Sequence, residues 1–512
     1  MTLLLGQLRK FLGFNPVGWE RARRLMDRRV AEYLHTLPDK PSGSDIVAVV
    51  GPWQGTSIPW FTLVVALMLA GEGARVRFVV DDLPFGSGRM RHVFVMRAIR
   101  HVMARVARRF PVTLLSKVTP ASVDAASSAE IDRLASLNAT WELRGEMLQS
   151  RRAEIVARSA AQMRAAQGHI AALFANGPIP DVLWVPGGVF GDSGLWFHEA
   201  RKRGVRVASF DTGGYQTSML ASDGMACQLD DVPRAFRQLA MDWASDPEDR
   251  SQALARAEQE IVARRGGTDA FESQVQGGGE GRPEFDGGIL LALNSSWDAA
   301  ALGPHRAFSS NTDWIVGTTS YLLEHTDRHV IVRQHPAERL AIGATSEDYA
   351  NLLGRHFGEH PRLHFIAAAD PINSYALLDR VAAVVVHTST IGMEAVAFGR
   401  PVVTGSASYY SGLGFVNRAD ELDAYTALLA RAAAGQLSVT EAMREDARLC
   451  FYITQCQNWV FSPFNPADFA LWSRRPISHW QAQPAVSRMV RSVLTGTPVA
   501  VLNHREGGPA AT

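Results

Sequence analysis

Val384-Val385-Val386-His387-Thr388-Ser389-Thr390-Ile391-Gly392-Met393-Glu394-Ala395-Val396-Ala397-Phe398-Gly399-Arg400-Pro401-Val402-Val403 decides how this chain folds. An apolar, β-branched run ends in small hydroxyl residues. A short helical pattern follows, with one acid inside it, and a second β-branched run begins after Gly399-Arg400-Pro401. The order is strand, short loop, helix, strand. Hydroxyls and N–H groups at a helix start form a seat for an anion. Thr388, Ser389 and Thr390, with His387 beside them, exceed what a single cap requires, and Gly392 leaves room for close backbone approach. Glu394 stands about one turn further on among apolar neighbours, so it reads as partly buried. A buried carboxylate needs hydrogen-bonding partners, and the ribose hydroxyls of a nucleotide would meet that need at the carboxyl ends of parallel strands.

Working outward, the spacing predicts strands over 289–293, 329–333, 363–366, 381–386 and 401–404. Helices are predicted near 309–326, 346–358, 373–380, 391–398 and 420–434. This alternation implies a parallel sheet with helices on both faces. The N-terminal half repeats the style, with strands at 46–50, 76–80, 182–185 and 206–210. A helix follows the first of these, a long helical region covers 90–170 with breaks near Pro111 and Pro120, and another helix covers 193–203. Periodicity vanishes between about 264 and 288, where Gly266-Gly267, Gly277-Gly278-Gly279, Gly281 and Gly287-Gly288 mark a linker or long loop. The expected division is an N-terminal domain over 1–265, a glycine-rich linker over 266–288, a C-terminal domain over 289–450, an aromatic-rich segment over 451–505 that packs back on the body, and a disordered end over 506–512. The fold class is α/β: two doubly wound, Rossmann-like domains facing a central cleft, where ligands bind at strand ends.

At 512 residues the chain exceeds one hydrophobic core, so two domains of roughly 200–250 residues are the default. The formal net charge of +1 names no partner, but residues 1–120 hold 18 Lys/Arg against 8 Asp/Glu. That basic third can face an anionic acceptor or membrane surface, or simply solvent. Arg21, Arg23, Arg24, Arg28 and Arg29, interspersed with Trp19, Leu25, Met26 and Val30, read as a basic amphipathic helix on anionic lipid or as a plain surface helix. Three cysteines lack metal or disulfide spacing and suit a reducing cytoplasm. No cleavage site of signal-peptide type follows the apolar start, and the most apolar segment, 58–70, is too short to span a bilayer. The expected location is cytoplasmic, peripheral on the inner face of the cytoplasmic membrane. Nothing points to nucleic acid.

Arg333-Gln334-His335-Pro336 ends a strand of the second domain. Pro336 stops the strand and holds His335 at the sheet's carboxyl edge, where it can donate to a phosphate or ribose. Asn294-Ser295-Ser296-Trp297 ends that domain's first strand, so Ser295 and Ser296 are candidates to touch phosphate, with a plain turn as the alternative. Ser406, Ser408, Tyr409, Tyr410 and Gly412 follow the strand after Glu394 and are candidates to close over base or donor sugar. In the first domain, Asp211-Thr212-Gly213-Gly214 supplies the best acid: a strand-end carboxylate in a Gly-rich loop can act as general base on an acceptor hydroxyl. Asp81, Asp82 and Asp192 occupy comparable positions and are its rivals. A P-loop, a clear G-x-G-x-x-G after the first strand, a G-x-S-x-G elbow and His/Cys zinc spacing are all missing from the sequence.

Taken in this order, these residues resemble the GT-B glycosyltransferases of bacterial surface polysaccharide assembly. The likeness is to capsule polysaccharide biosynthesis proteins, including Kdo transferases, and more distantly to bacterial sialyltransferases that use CMP-sugars. His335-Pro336 and Thr388-Ser389-Thr390 look like that group's His-Pro and Ser/Thr motifs. Ser389-Thr390-Ile391-Gly392-Met393-Glu394-Ala395, Gly399-Arg400-Pro401-Val402 and Tyr409-Tyr410-Ser411-Gly412-Leu413-Gly414 look like its further segments. Asp211-Thr212-Gly213 is the nearest counterpart of its acidic motif, with Thr212 where a second acid would stand. The resemblance covers about 329–415 well and the N-terminal half loosely. It implies a nucleotide-sugar donor on the C-terminal domain, CMP-linked or carrying UDP or GDP, a glycan or lipid-linked acceptor, and no metal or other cofactor. Two other readings stay open: a non-hydrolysing UDP-sugar 2-epimerase, and a non-catalytic nucleotide-binding scaffold for polysaccharide export.

Overall fold

The computed structural model describes residues 16–38, 41–53, 56–84, 89–147, 149–213, 216–268, 282–298, 301–340 and 343–507. They form two compact units. The first takes the chain up to Ala139, Ala153–Asp231 and everything from Gln457 onward; the second takes Thr140–Arg152 and Val232–Cys456.

The first unit is built on β1 (Asp45–Val50), β2 (Arg75–Val80), β3 (Val112–Leu114), β4 (Val182–Pro186), β5 (Arg206–Thr212), β6 (Thr217–Ala221) and β13 (Trp459–Phe461), in the order β13-β6-β5-β4-β1-β2-β3. β1 to β5 run parallel, whereas β6 is antiparallel to β5 and β13 to β6. Strands such as Ile46-Val47-Ala48-Val49-Val50 are apolar on both faces because both faces are covered. On one face lies the helix Ile58–Gly71, buried from Pro59 through Ala70. Aromatic residues of the C-terminal segment lie in that same core: Phe464 sits 4.8 Å from Phe61, which lies 4.8 Å from Phe210.

The second unit carries β7 (Ile289–Ala292), β8 (Val330–Arg333), β9 (Leu363–Ile366), β10 (Ala383–Val386), β11 (Val402–Thr404) and β12 (Asn417–Arg418). All are parallel, in the order β12-β11-β10-β7-β8-β9. The chain moves from β7 to β8 and β9 on one side, then crosses to β10 on the other. The switch point of this doubly wound sheet therefore lies between β7 and β10.

The division differs from 1–265 and 289–450 in two places. Residues 232–265 belong to the second unit, because the helix Pro247–Arg265 packs against the helix Glu441–Phe451, with Arg250 on Glu445 at 2.8 Å. Residues 140–152 also belong there: the Glu146 carboxylate accepts the Thr312 N–H at 3.0 Å at the start of the helix Asn311–His325. Of the expected linker, 269–281 lie outside the described residues, and Phe285 is buried. Of the expected disordered end, 508–512 lie outside them, while the helix Val499–Arg505 is packed in the first unit. The break near Pro111 holds the short strand β3.

The N-terminal amphipathic helix, Pro16–Leu34, does not keep an apolar face for lipid. Met26 and Val30 are buried in the first unit's core, and Trp19 lies 5.5 Å from Trp60. Arg105 binds Asp27 at 2.7 Å, and Arg21, Arg24 and Arg28 stay exposed. Among the described residues, no helix is long and apolar enough to cross a membrane.

Candidate functional site

At the switch point of the second sheet, the loops after β7 and β10 are joined by a hydrogen bond: Asn294 Nδ2 donates to Thr388 Oγ1 at 3.1 Å. Both strands end in apolar runs that fix their polar successors at the sheet's rim. The loop after β8 adds His335. Its Nδ1 accepts the Ala337 N–H at 3.2 Å and so caps the short turn Pro336–Arg339. Burial and the neighbouring Arg333 guanidinium lower its pKa to about 4, so the ring is neutral near pH 7. With Nδ1 accepting, the ring proton sits on Nε2, leaving that atom a donor. Arg333 itself is buried and bonds to the carbonyls of Ala367 at 2.5 Å and Ile372 at 3.1 Å, which ties down the loop after β9.

The Thr388–Thr390 loop is more self-occupied than its sequence implies. The helix Ile391–Ala397 is only seven residues long, and the Gly392 and Met393 amides already bond to the Ser389 and Thr390 carbonyls at 3.1 and 3.0 Å. Anion donors in this loop are therefore its hydroxyls more than these amides. Gly392 makes room for protein rather than ligand: a Cβ there would lie 2.5 Å from the Tyr410 hydroxyl, which donates to the Ser389 carbonyl at 2.6 Å. His387 is buried against His305, Nε2 to Nδ1 at 2.9 Å, and burial holds both rings well toward the neutral form. Its carbonyl accepts from Ser406 and Thr404. His387, Ser406 and Tyr410 are thus framework groups beneath the loop.

Glu394 is buried, as its apolar flanks imply, but its partners are protein groups. Tyr375 donates to Oε2 at 3.0 Å and Arg264 to Oε1 at 3.3 Å. The ribose contact expected from sequence is replaced here by an anchor between the helix Pro247–Arg265 and the second sheet. Ser296 is likewise committed, donating to Glu347 Oε1 at 2.7 Å. Glu347 also accepts the amides of Glu146 and Met147, which fastens residues 140–152.

Glu338, one turn after His335-Pro336, is the residue that the sequence reading missed. It is 8% exposed, and Gln334 Nε2 donates to its Oε2 at 2.7 Å. Burial raises its pKa to about 7, against the lowering effect of bonds from Gln334 and Ser295, and Glu347 adds to the rise. The sequence signal was there: an acid directly behind the strand-stopping proline at a carboxyl edge. Ser295, Gln334, His335 and Glu338 thus form one cluster beside the Asn294–Thr388 bridge.

In the first unit, β5 runs on through Thr212, so Asp211 does not sit in a loop. It pairs with Met219 of β6, and its Oδ1 accepts the Thr212 N–H at 2.7 Å. Gly214 lies outside the described residues. Asp82 is fixed by Arg100 at 2.5 Å and by the Ser116 amide and hydroxyl at 2.8 Å each. Asp81 and Asp192 are different: each has one buried carboxylate oxygen with no hydrogen-bond partner.

The family described as capsule polysaccharide biosynthesis protein matches residues 289–456. No curated protein sequence matches the chain. Among solved structures, the beta Kdo 2,4 transferase KpsC of Thermosulfurimonas dismutans is similar at 14% identity, covering 52% of this chain and 87% of that one, with a TM-score of 0.31. The beta Kdo 2,7 transferase KpsC of the same organism is similar at 17% identity, over 54% and 87%, with a TM-score of 0.31. The UDP-GlcNAc 2-epimerase from Neisseria meningitidis is similar at 11% identity, over 84% and 99%, with a TM-score of 0.22. The matched stretch, 289–456, holds the whole parallel sheet of the second unit, and the motifs that carry the resemblance from 329 to 415 lie inside it.

Proposed function

We propose that this protein is a glycosyltransferase of capsule-type polysaccharide synthesis, with its nucleotide-sugar donor on the second unit and a glycan or lipid-linked acceptor on the first. The observation that carries this reading is the switch-point arrangement inside the matched stretch: Asn294 and Thr388 bridge the ends of β7 and β10, and His335 stands at the end of β8 with Nε2 as a donor. The Thr388, Ser389 and Thr390 hydroxyls and His335 Nε2–H bind the donor's phosphate, and Ser295 lies beside them. In an inverting displacement the acceptor oxygen attacks the anomeric carbon as its bond to the phosphate oxygen breaks, and the same donors hold the charge left on the nucleotide. The reading assigns no metal a role, so chelation with EDTA leaves transfer unchanged. The exposed Arg21, Arg24 and Arg28 give the first unit a charged face toward anionic lipid.

A melting-shift panel with CMP, CDP, UDP and GDP tests the donor site. One nucleotide raises Tm, and CMP preference supports a CMP-sugar donor. His335→Ala weakens that binding by about 10- to 100-fold, the worth of a hydrogen bond to a charged group. No shift with any of the four would favour the scaffold reading, and epimerisation of a lone nucleotide sugar would replace transfer by isomerisation. The sequence names Asp211 as base; an Asp211→Ala protein with full transfer activity removes it from the mechanism.

A further inference from the structure

Asp81 follows β2 and Asp192 opens the helix Gly191–Lys202 after β4, while β1 lies between those strands. The two acids therefore flank the carboxyl end of β1, where the strand order of the first sheet reverses and open α/β sheets bind ligands. Asp81 is 5% exposed, with Oδ2 fixed by the Trp196 indole N–H at 2.9 Å. Its Oδ1, and Oδ1 of Asp192, are buried without a hydrogen-bond partner among the described residues, a costly state for a carboxyl group unless a ligand completes it, although the Leu83 N–H also favours the charged form of Asp81. Gly51 and Gly187 border this end of the sheet. A Cβ on Gly51 would stand 3.7 Å from Asp81 Cβ, and one on Gly187 would stand 3.4 Å from the Trp53 ring. Trp53 itself is held at φ 35, in the left-handed region that a bulky residue enters only under constraint. Its indole reaches from the β1 loop to the β4 loop.

Asp81 opposes ionisation of Asp192, so the two carboxyls are not independent in their titration. Burial lifts Asp81 to about 6 and Asp192 further above the carboxylate range, with Asp81's charge adding to the latter. Other charged groups among the described residues act on the pair. Asp82 opposes ionisation of Asp81 but is neutralised by Arg100, His92 faces Asp82, and His169 favours the charged form of Asp81.

We infer that Asp81 and Asp192 form a carboxyl pair that binds the acceptor sugar and takes the proton of its reacting hydroxyl, so that the base of the transfer is this pair rather than Asp211. The inference rests on the glycosyl-transfer reading. The hydroxyl O–H bond breaks and its proton passes to the ionised carboxyl of the pair. The oxygen's electron pair forms the bond to the anomeric carbon, and the anomeric carbon–phosphate oxygen bond leaves with its electrons on the nucleotide. The Trp53 indole supplies an apolar face for the sugar ring.

Two measurements on the full chain test this. Infrared difference spectra between pH 5 and 8 are expected to show a protonated-carboxyl band that titrates near 6, is lost in Asp81→Asn and moves in Asp192→Asn. Nucleotide release is then followed from the sugar conjugate of the nucleotide that gives the largest melting shift, with a panel of p-nitrophenyl glycosides as acceptors. Asp192→Asn is expected to lose about 100-fold or more while keeping the wild-type melting shift, and Asp211→Asn to stay within about fivefold of wild type. Absence of the band, or Asp192→Asn at wild-type rate, overturns the pair while leaving the transfer reading standing. A wild-type protein that shows the band yet turns over no donor with any acceptor refutes the transfer reading, and with it the pair's role as base.

Discussion

Glu338 is pushed up to about 7 because its surroundings penalise the charge more than its hydrogen bonds reward it. A raised carboxyl pKa means that the fold favours the protonated form. The stability it contributes is complete below its ordinary value of 4.5 and is lost as pH rises through about 7. Glu338→Gln keeps the shape and an oxygen for Gln334 but cannot ionise. Urea unfolding should therefore show the variant gaining on wild type between pH 4.5 and 8.5 by on the order of 3 kcal/mol; an equal difference at both ends of that range would sink the argument. His335 moves the opposite way. Its pKa is lowered to about 4, so its stabilising neutral form is fully present above the ordinary 6.5 and is lost as pH falls through 4. The two residues sit one turn apart, and only His335 was legible in the sequence. A proline fixes a histidine at a strand end locally, but the raised pKa of Glu338 owes part of its rise to Glu347, which no local pattern brings near it.

Among elements, the apolar β-branched strands announced themselves and several of the others did not. β1, β2, β4, β7, β8 and β10 are apolar runs between turn residues, and such runs are buried parallel strands by composition alone. β3, β12 and β13 have three, two and three residues, too few to show a period, and β6 reads as an ordinary loop until it pairs with β5. That pairing is why Asp211 was misplaced: a strand-end acid and an acid inside an antiparallel ladder look alike in one dimension. The helix Ile391–Ala397 shows the same limit. Its glycine suggested ligand access, whereas the structure gives the space to Tyr410 and Val386, at 2.5 and 2.9 Å from a Cβ at position 392. Gly→Ala inside a helix normally stabilises by about 1 kcal/mol. Here Gly392→Ala should instead destabilise by about 1–3 kcal/mol through overpacking. Tyr410→Phe should recover part of that loss despite forfeiting its bond to the Ser389 carbonyl. A double-mutant cycle in chemical denaturation reads the coupling, and strict additivity would show that the two groups do not compete for space.

At the scale of the molecule, the first and last described segments belong to the same unit, and the second unit is made largely from the stretch between. The last segment is part of the first unit's construction, since β13 closes its sheet and Val460, Phe464, Trp472, Trp480, Val486, Met489 and Val490 are buried in the core with Trp60, Phe61 and Trp184. Each such side chain is worth about 1.5–3 kcal/mol when fully buried, so seven together rival the whole stability of an ordinary domain, about 5–15 kcal/mol. The residues that hold the switch-point cluster lie outside this segment, in a sheet with its own core of Ile289, Leu291, Trp314, Val332, Val385 and Val403. A chain stopped after Cys456 should therefore lose the first unit and keep the second. Hydrogen exchange should find the β1, β2, β4 and β5 amides unprotected and those of β7, β8 and β10 protected, with the nucleotide melting shift retained. Persistent protection in β1 would mean that the N-terminal segments form their core without the aromatic tail, and the area argument would then fail for this unit.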